Sequence, residues 1–327
     1  MRYLVTGATG FLGGAVVRQL VAAGHEVRAL VRSPERATAL GTRGVTLHAG
    51  DITEPETLFD PMRGVDGVFH LAAWYKVGAR DKSVAERINV DGTRNVFATA
   101  RQVGAPKVVY TSTLAVFGDT HGRLVDESYH FDGPFLSEYD RTKSLAHAVA
   151  EGMAREFMPL VIVQPGVIYG PGDNGPMRPL WDSYLRRRLP VIPAGAAYCW
   201  GHVEDTARGH VLAMERGRAG ESYILAGPAH TLSEAFEIAE RITKIPAPRP
   251  VSSALLRAGA SLLELFGQDA EALRVMAGTT YLGDSSKAQK ELGFEARPLE
   301  FGLKETLQYE MKRLKLPEQA RPRPAQR

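Results

Sequence analysis

The sequence predicts an α/β fold, a doubly wound parallel sheet followed by a smaller C-terminal lobe. Three observations carry that expectation. Short β-branched runs alternate with longer helix-period segments through the first half, the pattern of βαβ units. The runs Val108-Val109-Tyr110 and Val161-Ile162-Val163 are apolar without alternation, as strands covered on both faces must be. A glycine-rich turn, Gly7 to Gly13, joins the first strand to the first helix.

Taken in order, strands are expected at Tyr3–Thr6, Glu26–Val31, Val45–Ala49, Gly67–Leu71, Lys107–Thr111 and Leu160–Gln164, with helices at Phe11–Ala23, Asp81–Val103 and Glu138–Phe157. After Gln164 the rhythm changes. Prolines and glycines crowd 165–179, and the basic run Arg186-Arg187-Arg188 follows. The expected division is therefore a sheet domain over 1–165 with returning segments near 200–240, a lobe made mainly of 166–310, and a basic, disordered tail over 311–327. Pro246, Pro248 and Pro250 introduce an amphipathic helix at 253–266, too short and too charged for a membrane span.

Composition narrows the function classes. Apolar residues are 44% and charged residues 24% of 327, with a formal charge of +3, which is ordinary globular usage and excludes a disordered or fibrous chain. The basic excess lies in the tail, where six Lys/Arg face the single Glu318, so no nucleic-acid partner is expected. Cys199 is the only cysteine, so no intrachain disulfide forms, and with a strand starting at Tyr3 a cytoplasmic protein is expected. No metal site is expected, since His202 in His202-Val203-Glu204-Asp205 lacks companion ligands and reads as a structural histidine.

The chemistry begins at Gly7-Ala8-Thr9-Gly10-Phe11-Leu12-Gly13. Glycines there let the backbone approach a pyrophosphate, and the helix that follows offers unpaired N–H groups and the positive end of its dipole. Arg32, at the end of the second strand with Ser33 and Arg36 nearby, suits a ribose 2′-phosphate, so NADP is expected, with NAD possible. Asp51, in Gly50-Asp51-Ile52, is placed to accept from an adenine amino group. Tyr139 and Lys143 lie four residues apart on one helix face. An ammonium beside a phenol favours the phenolate, and the expectation is a lowered tyrosine pKa suited to proton exchange with an alcohol or carbonyl oxygen. Thr113, at the end of the fifth strand, can hydrogen-bond the same oxygen.

With these motifs in place the chain resembles the extended short-chain dehydrogenases/reductases, the NAD-dependent epimerase/dehydratase superfamily, over about residues 1–310. The resemblance is carried by Thr6–Gly13, Gly50-Asp51, His70-Leu71-Ala72-Ala73, Asn89–Val96, Thr111-Ser112-Thr113, Tyr139–Lys143 and Tyr169-Gly170-Pro171. It implies an NAD(P)-binding Rossmann domain in which Tyr139 is the general acid/base, Lys143 activates it and holds the ribose, and Thr113 orients the substrate oxygen. It further implies cofactor contacts from Gly7, Ala8, Thr9, Gly10, Phe11, Leu12, Gly13, Asp51, Ile52, Leu71, Ala72, Ala73, Thr111, Pro165, Gly166, Val167 and Ile168, and a structural or water-holding Asn89. A homodimer through the helices 81–103 and 138–157 is implied by the same analogy. Val27–Arg32, Glu138–Lys143 and Gln164–Gly172 look most similar to the dihydroflavonol-4-reductase-like and farnesol dehydrogenase-like branch.

Aromatic side chains mark the expected substrate region: Trp74, Tyr75, Tyr169, Trp181 and Tyr198. Such walls suit a small apolar or aromatic molecule. The expected function is NADP(H)-dependent hydride transfer to or from a carbonyl or alcohol. Two alternatives stay open at this point: a nucleotide-sugar epimerase or dehydratase that recycles its dinucleotide, and a non-catalytic dinucleotide sensor.

Overall fold

The computed structural model describes residues 1–41, 44–75, 81–156, 159–175, 177–254, 275 and 278–316. Strands β1 (Arg2–Thr6), β2 (Glu26–Val31), β3 (Val45–Ala49), β4 (Gly67–His70), β5 (Val108–Thr111), β6 (Leu160–Pro165) and, later in the chain, β10 (Ser222–Leu225) form one parallel seven-stranded sheet. Its order is β10-β6-β5-β4-β1-β2-β3. The chain reverses direction across the sheet between β1 and β4, the place where doubly wound folds open a crevice at the carboxyl ends of their strands.

Period-two alternation within buried strands builds a core on each face of the sheet. Val5, Phe69, Val109, Val161 and Val163 face one way, against α1 (Phe11–Ala22) and, from later in the chain, Val203–Arg216. Leu4, Val68, Val108, Tyr110, Leu160 and Ile162 face the other, against Val96 and Phe97 of Gly92–Gln102 and Ala146 and Ala150 of Glu138–Arg155. These strands are apolar throughout because both of their faces are covered.

Between β3 and β5 lie a short α2 (Phe59–Met62), then α3 (Ser83–Glu86), a π-turn over Arg87–Asp91, and α4 (Gly92–Gln102). The single helix expected over 81–103 is thus interrupted. The wide turn holds Asn89 buried, where its side chain grips the Trp74 backbone. Helix α5 (Glu138–Arg155) is capped by Ser137, whose hydroxyl accepts from Asp140 N–H.

The lobe contains β7 (Val167–Tyr169), α6 (Met177–Leu185), β8 (Val191–Pro193) and β9 (Ala197–His202), then β11 (Ala229–Thr231), α8 (Leu232–Thr243), β12 (Arg249–Val251), β13 (Thr280–Tyr281) and α10 (Leu299–Arg313). Tyr169, Trp181, Tyr184, Trp200, Phe236 and Leu303 fill its core. The chain returns to the main sheet through α7 (Val203–Arg216) and β10, whereas 229–240, expected in the sheet domain, packs in the lobe. It returns again at α9 (Ser286–Leu292), whose Ala288 and Leu292 join the core on the α1 face. Residues 311–313, expected in the tail, form the end of α10, and Met311 and Leu314 pack on the lobe core. The amphipathic segment expected at 253–266 and the remainder of the tail from 317 lie outside the described residues, apart from 253–254.

Candidate active site

The glycine loop follows β1 at the point where the strand order reverses. Gly7 has φ 73°, and a β-carbon on Gly13 would stand 2.1 Å from the Gly7 carbonyl oxygen. The loop therefore needs a left-handed residue at its start and a bare α-carbon where the helix crosses the strand. Gly10 N-caps α1 with no side-chain hydrogen bond, and no acid lies in the first turn. The first N–H groups of the helix are thus left to a ligand, which fits a dinucleotide pyrophosphate. Leu71, Ala72 and Ala73 follow β4 beside this loop, with Ala72 N–H donating to Thr6 Oγ1 at 3.2 Å.

Arg32 stands exposed just past the end of β2 and makes no ion pair with a described residue, so its guanidinium is available to an anion. Asp51 uses Oδ1 to accept from the Thr53 amide and hydroxyl, each at 2.9 Å, which leaves Oδ2 for a further donor. Ile52 is turned into the core, where it would meet a β-carbon on Gly92 at 2.7 Å, and its carbonyl is held by Asn95. Pro165 closes β6, Gly166 lies directly against the Cys199 carbonyl, and Val167 and Ile168 continue along β7, half-buried.

Tyr139, Lys143 and Thr113 converge at the carboxyl end of β5. Thr113 caps the turn that follows, its Oγ1 accepting from Ala115 N–H at 3.2 Å, so its own proton is free for the nearby Tyr139 oxygen, whose pKa it lowers. Lys143 is buried and donates to the Thr111 carbonyl at 2.8 Å and the Tyr110 hydroxyl at 3.2 Å. The expected lowering of the Tyr139 pKa is not what the site holds. Burial pushes the phenol up to about 12, the Thr113 hydrogen bond opposing and Asp140 adding to the rise. Burial likewise presses Lys143 down to about 7, so near neutrality only part of its charge is present to assist the phenolate. Thr111 is also reassigned. Its carbonyl serves Lys143 and its hydroxyl meets His210 Nε2 at 3.0 Å, so both polar groups are already engaged.

The aromatic residues divide. Tyr198 stacks on Tyr281 at 6.3 Å and packs in the cluster that contains Tyr139, Leu114 and Phe117. Trp74 is buried, its backbone clamped by Asn89 at 2.7 and 3.0 Å, and Asn89 also donates to Thr142 Oγ1 on α5. Tyr75 is exposed. Trp181 and Tyr169 are 0% exposed inside the lobe, Trp181 against Phe236 and Tyr169 against Trp200 and His202. Those two fill a core and are not substrate walls. His202 N-caps α7 through Nδ1, a structural role. The reading from sequence missed Tyr281, whose hydroxyl donates to Asp140 Oδ2 at 3.0 Å, and Tyr110 behind Lys143. Neither carries a local signal, because Tyr110 reads as one more apolar strand position and Tyr281 lies in a two-residue strand.

A glycine cradle at the switch point and a Tyr/Lys pair one helical turn apart define a dinucleotide-dependent enzyme of the Rossmann type. Residues 3–226 match the model of the NAD dependent epimerase/dehydratase family, and the chain belongs to that family. Among curated relatives it is 35% identical over 257 residues to a putative dihydroflavonol 4-reductase of Synechocystis, covering 76% of this chain and 74% of that one. It is 33% identical to a 4-hydroxy-2-methyl-3-oxo-4-farnesyl-3,4-dihydroquinoline-1-oxide ketoreductase of Stigmatella aurantiaca, covering 91% and 92%. Among solved structures, a dTDP-glucose 4,6-dehydratase of Streptomyces venezuelae with NAD and TYD bound superposes with a TM-score of 0.78 at 26% identity, covering 95% and 97%. The chain is accordingly an NAD(P)-dependent enzyme of the extended short-chain dehydrogenase/reductase group. Among the described residues no helix is long and apolar enough to cross a membrane.

Proposed function

We propose that this protein is an NADP(H)-dependent reductase of a carbonyl group on a small, apolar or aromatic substrate. The observation that carries the reading is the Thr113–Tyr139 hydroxyl pair set in an apolar and aromatic cluster of Leu114, Phe117, Tyr198 and Tyr281. Two hydroxyls can hold one carbonyl oxygen, and the apolar surroundings favour a substrate that carries little charge elsewhere. With its pKa at about 12, Tyr139 is fully protonated at neutral pH and is poised to give a proton to that oxygen. A bound nicotinamide supplies the hydride. Thr113 orients the oxygen, Lys143 holds the ribose and places positive charge behind Tyr139, and Arg32 takes the 2′-phosphate. The names of two relatives, the putative dihydroflavonol 4-reductase and the farnesyl-quinoline ketoreductase, support the same substrate class.

The test is absorbance at the nicotinamide band during incubation with NADPH and a panel of aldehydes, ketones and prenyl alcohols with NADP. Net consumption with a ketone is expected. Tight dinucleotide binding with no net turnover would replace this reading with an internally recycling epimerase or dehydratase, or with a sensor.

The reading includes a homodimer through α4 and α5, where Ala98, Leu145 and Ala148 are exposed on the outward faces of the two helices. Sedimentation of a monomer at micromolar concentration would remove that part.

A further inference from the structure

A line of buried side chains runs from Lys143 back to the glycine loop. Lys143 donates to the Tyr110 hydroxyl at 3.2 Å, its ammonium 4.8 Å from the centre of the Tyr110 ring. Thr93 lies near the same hydroxyl, where it opposes the rise of the Tyr110 pKa, and meets His70 Nε2 at 3.1 Å. His70 Nδ1 meets Thr6 Oγ1 at 2.8 Å, and Thr6 Oγ1 accepts from the Ala72 amide at 3.2 Å. The five side chains come from α5, β5, α4, β4 and β1, and none is more than 3% exposed.

The lysine end of the line sets its polarity. Lys143 has only protons to give, so the Tyr110 oxygen accepts from it and the Tyr110 proton is left to turn toward Thr93. Burial drives the His70 pKa down to about 3, so the ring is neutral and has a single proton to place between Thr93 and Thr6. Tyr110 is thus held between Thr93 and Lys143, with its oxygen accepting from the ammonium. The other titratable groups nearby are engaged elsewhere. Asp140 accepts from Tyr281, His147 Nδ1 meets Ser112, and Tyr139 shares its hydrogen bond with Thr113.

We propose that Tyr110 is a positioning residue for the reaction: its hydroxyl, oriented through Thr93 and His70, holds the Lys143 ammonium in place and in charge one helical turn from Tyr139. The proposal rests on the roles given above to Tyr139 and Lys143. Removing the oxygen takes an acceptor from a buried ammonium and so disfavours its charged form. Less charge behind Tyr139 then makes the phenolate harder to form. Tyr110→Phe isolates this effect, since the ring contact with the ammonium is kept.

The experiment measures kcat for alcohol oxidation by the dinucleotide-loaded protein at pH values below the Tyr139 pKa, where the rate climbs with the small phenolate fraction. In Tyr110→Phe the rising limb is expected to move to higher pH by roughly half a unit or more, with the dinucleotide KM changed less than about threefold. Thr93→Val, which leaves Tyr110 in place, is expected to move it the same way by less. In parallel, ¹³C NMR of the lysine Cε signals, with Lys143 assigned by Lys143→Arg, is expected to show Lys143 titrating below the ordinary lysine range in the wild type and lower still in Tyr110→Phe. A limb that stays put in either folded variant, or a Lys143 that titrates at the same pH in Tyr110→Phe as in the wild type, overturns the proposal. Full turnover in Tyr139→Phe would instead overturn the underlying assignment and leave the NMR result standing by itself.

Discussion

Gly7 and Ala72 lie so close that a β-carbon on Gly7 would stand 2.7 Å from the Ala72 amide nitrogen. The end of β1 and the loop after β4 therefore meet backbone to backbone, at the point where the sheet opens. Gly7→Ala adds this clash to a residue already at φ 73°, and the left-handed backbone alone costs about 1–2 kcal/mol. The variant is expected to melt lower and to bind dinucleotide at least about tenfold more weakly by fluorescence titration. Wild-type affinity would show that the loop does not define the site.

Arg32 provides the test of cofactor choice. An unpaired guanidinium that meets a phosphate makes a charge-assisted bond of about 1.5–3 kcal/mol. Arg32→Ala is expected to weaken NADPH by about tenfold to a hundredfold, since 1.4 kcal/mol is tenfold, and to leave NADH nearly unchanged. Equal losses for both dinucleotides would remove Arg32 from the 2′-phosphate.

Asp173 gives the fold a pH dependence of predictable sign. The carboxyl is 3% exposed, and burial first, then Glu310, raises its pKa from 3.8 to about 6, against the Gly175 N–H and Arg178. A group whose pKa is higher in the folded than in the unfolded chain contributes stability that is complete below the unfolded value and is lost as pH rises through the folded one. Between about pH 4 and pH 6 that loss amounts to about 3 kcal/mol. Asp173→Asn is expected to raise the melting temperature above pH 6 and to have little effect near pH 4. A stabilisation that is the same at both pH values would contradict this account.

The two groups of aromatics should respond differently to truncation. Trp181 is sealed in the lobe core, and Trp181→Ala is expected to cost about 3–5 kcal/mol of stability. Tyr198 packs on the same cluster as Tyr139 and is half-buried, so Tyr198→Phe is expected to raise substrate KM with little change in melting temperature. A melting loss without a kinetic change at Tyr198 would place it with the core.

What the sequence makes legible follows from the range over which each feature is determined. The glycine loop, the buried strands and the Tyr139/Lys143 spacing are set within a few residues by backbone freedom and periodicity, and the structure places them as expected. The break at Arg87–Asp91 leaves no mark on the periodicity, because a π-turn shifts the register once and is held by Asn89 reaching Trp74. Trp181 and Tyr198 are equally aromatic in the sequence, and only the packing of α6 against α8 and of β9 beside β13 separates the sealed ring from the half-buried one. Tyr110 looks like filler in an apolar strand until Lys143 is seen to bind its hydroxyl. The Tyr139 pKa went opposite to expectation because proximity of charge is a sequence-level inference and desolvation is not.

The central claim, that Tyr139 carries the proton between the chain and the substrate oxygen, is tested most directly by Tyr139→Phe. NADPH binding and ketone reduction would be measured on the same preparation. Reduction is expected to fall by about a hundredfold to ten-thousandfold, the usual contribution of a positioned acid or base, with NADPH binding within about threefold of wild type. Turnover near the wild-type rate would contradict the account.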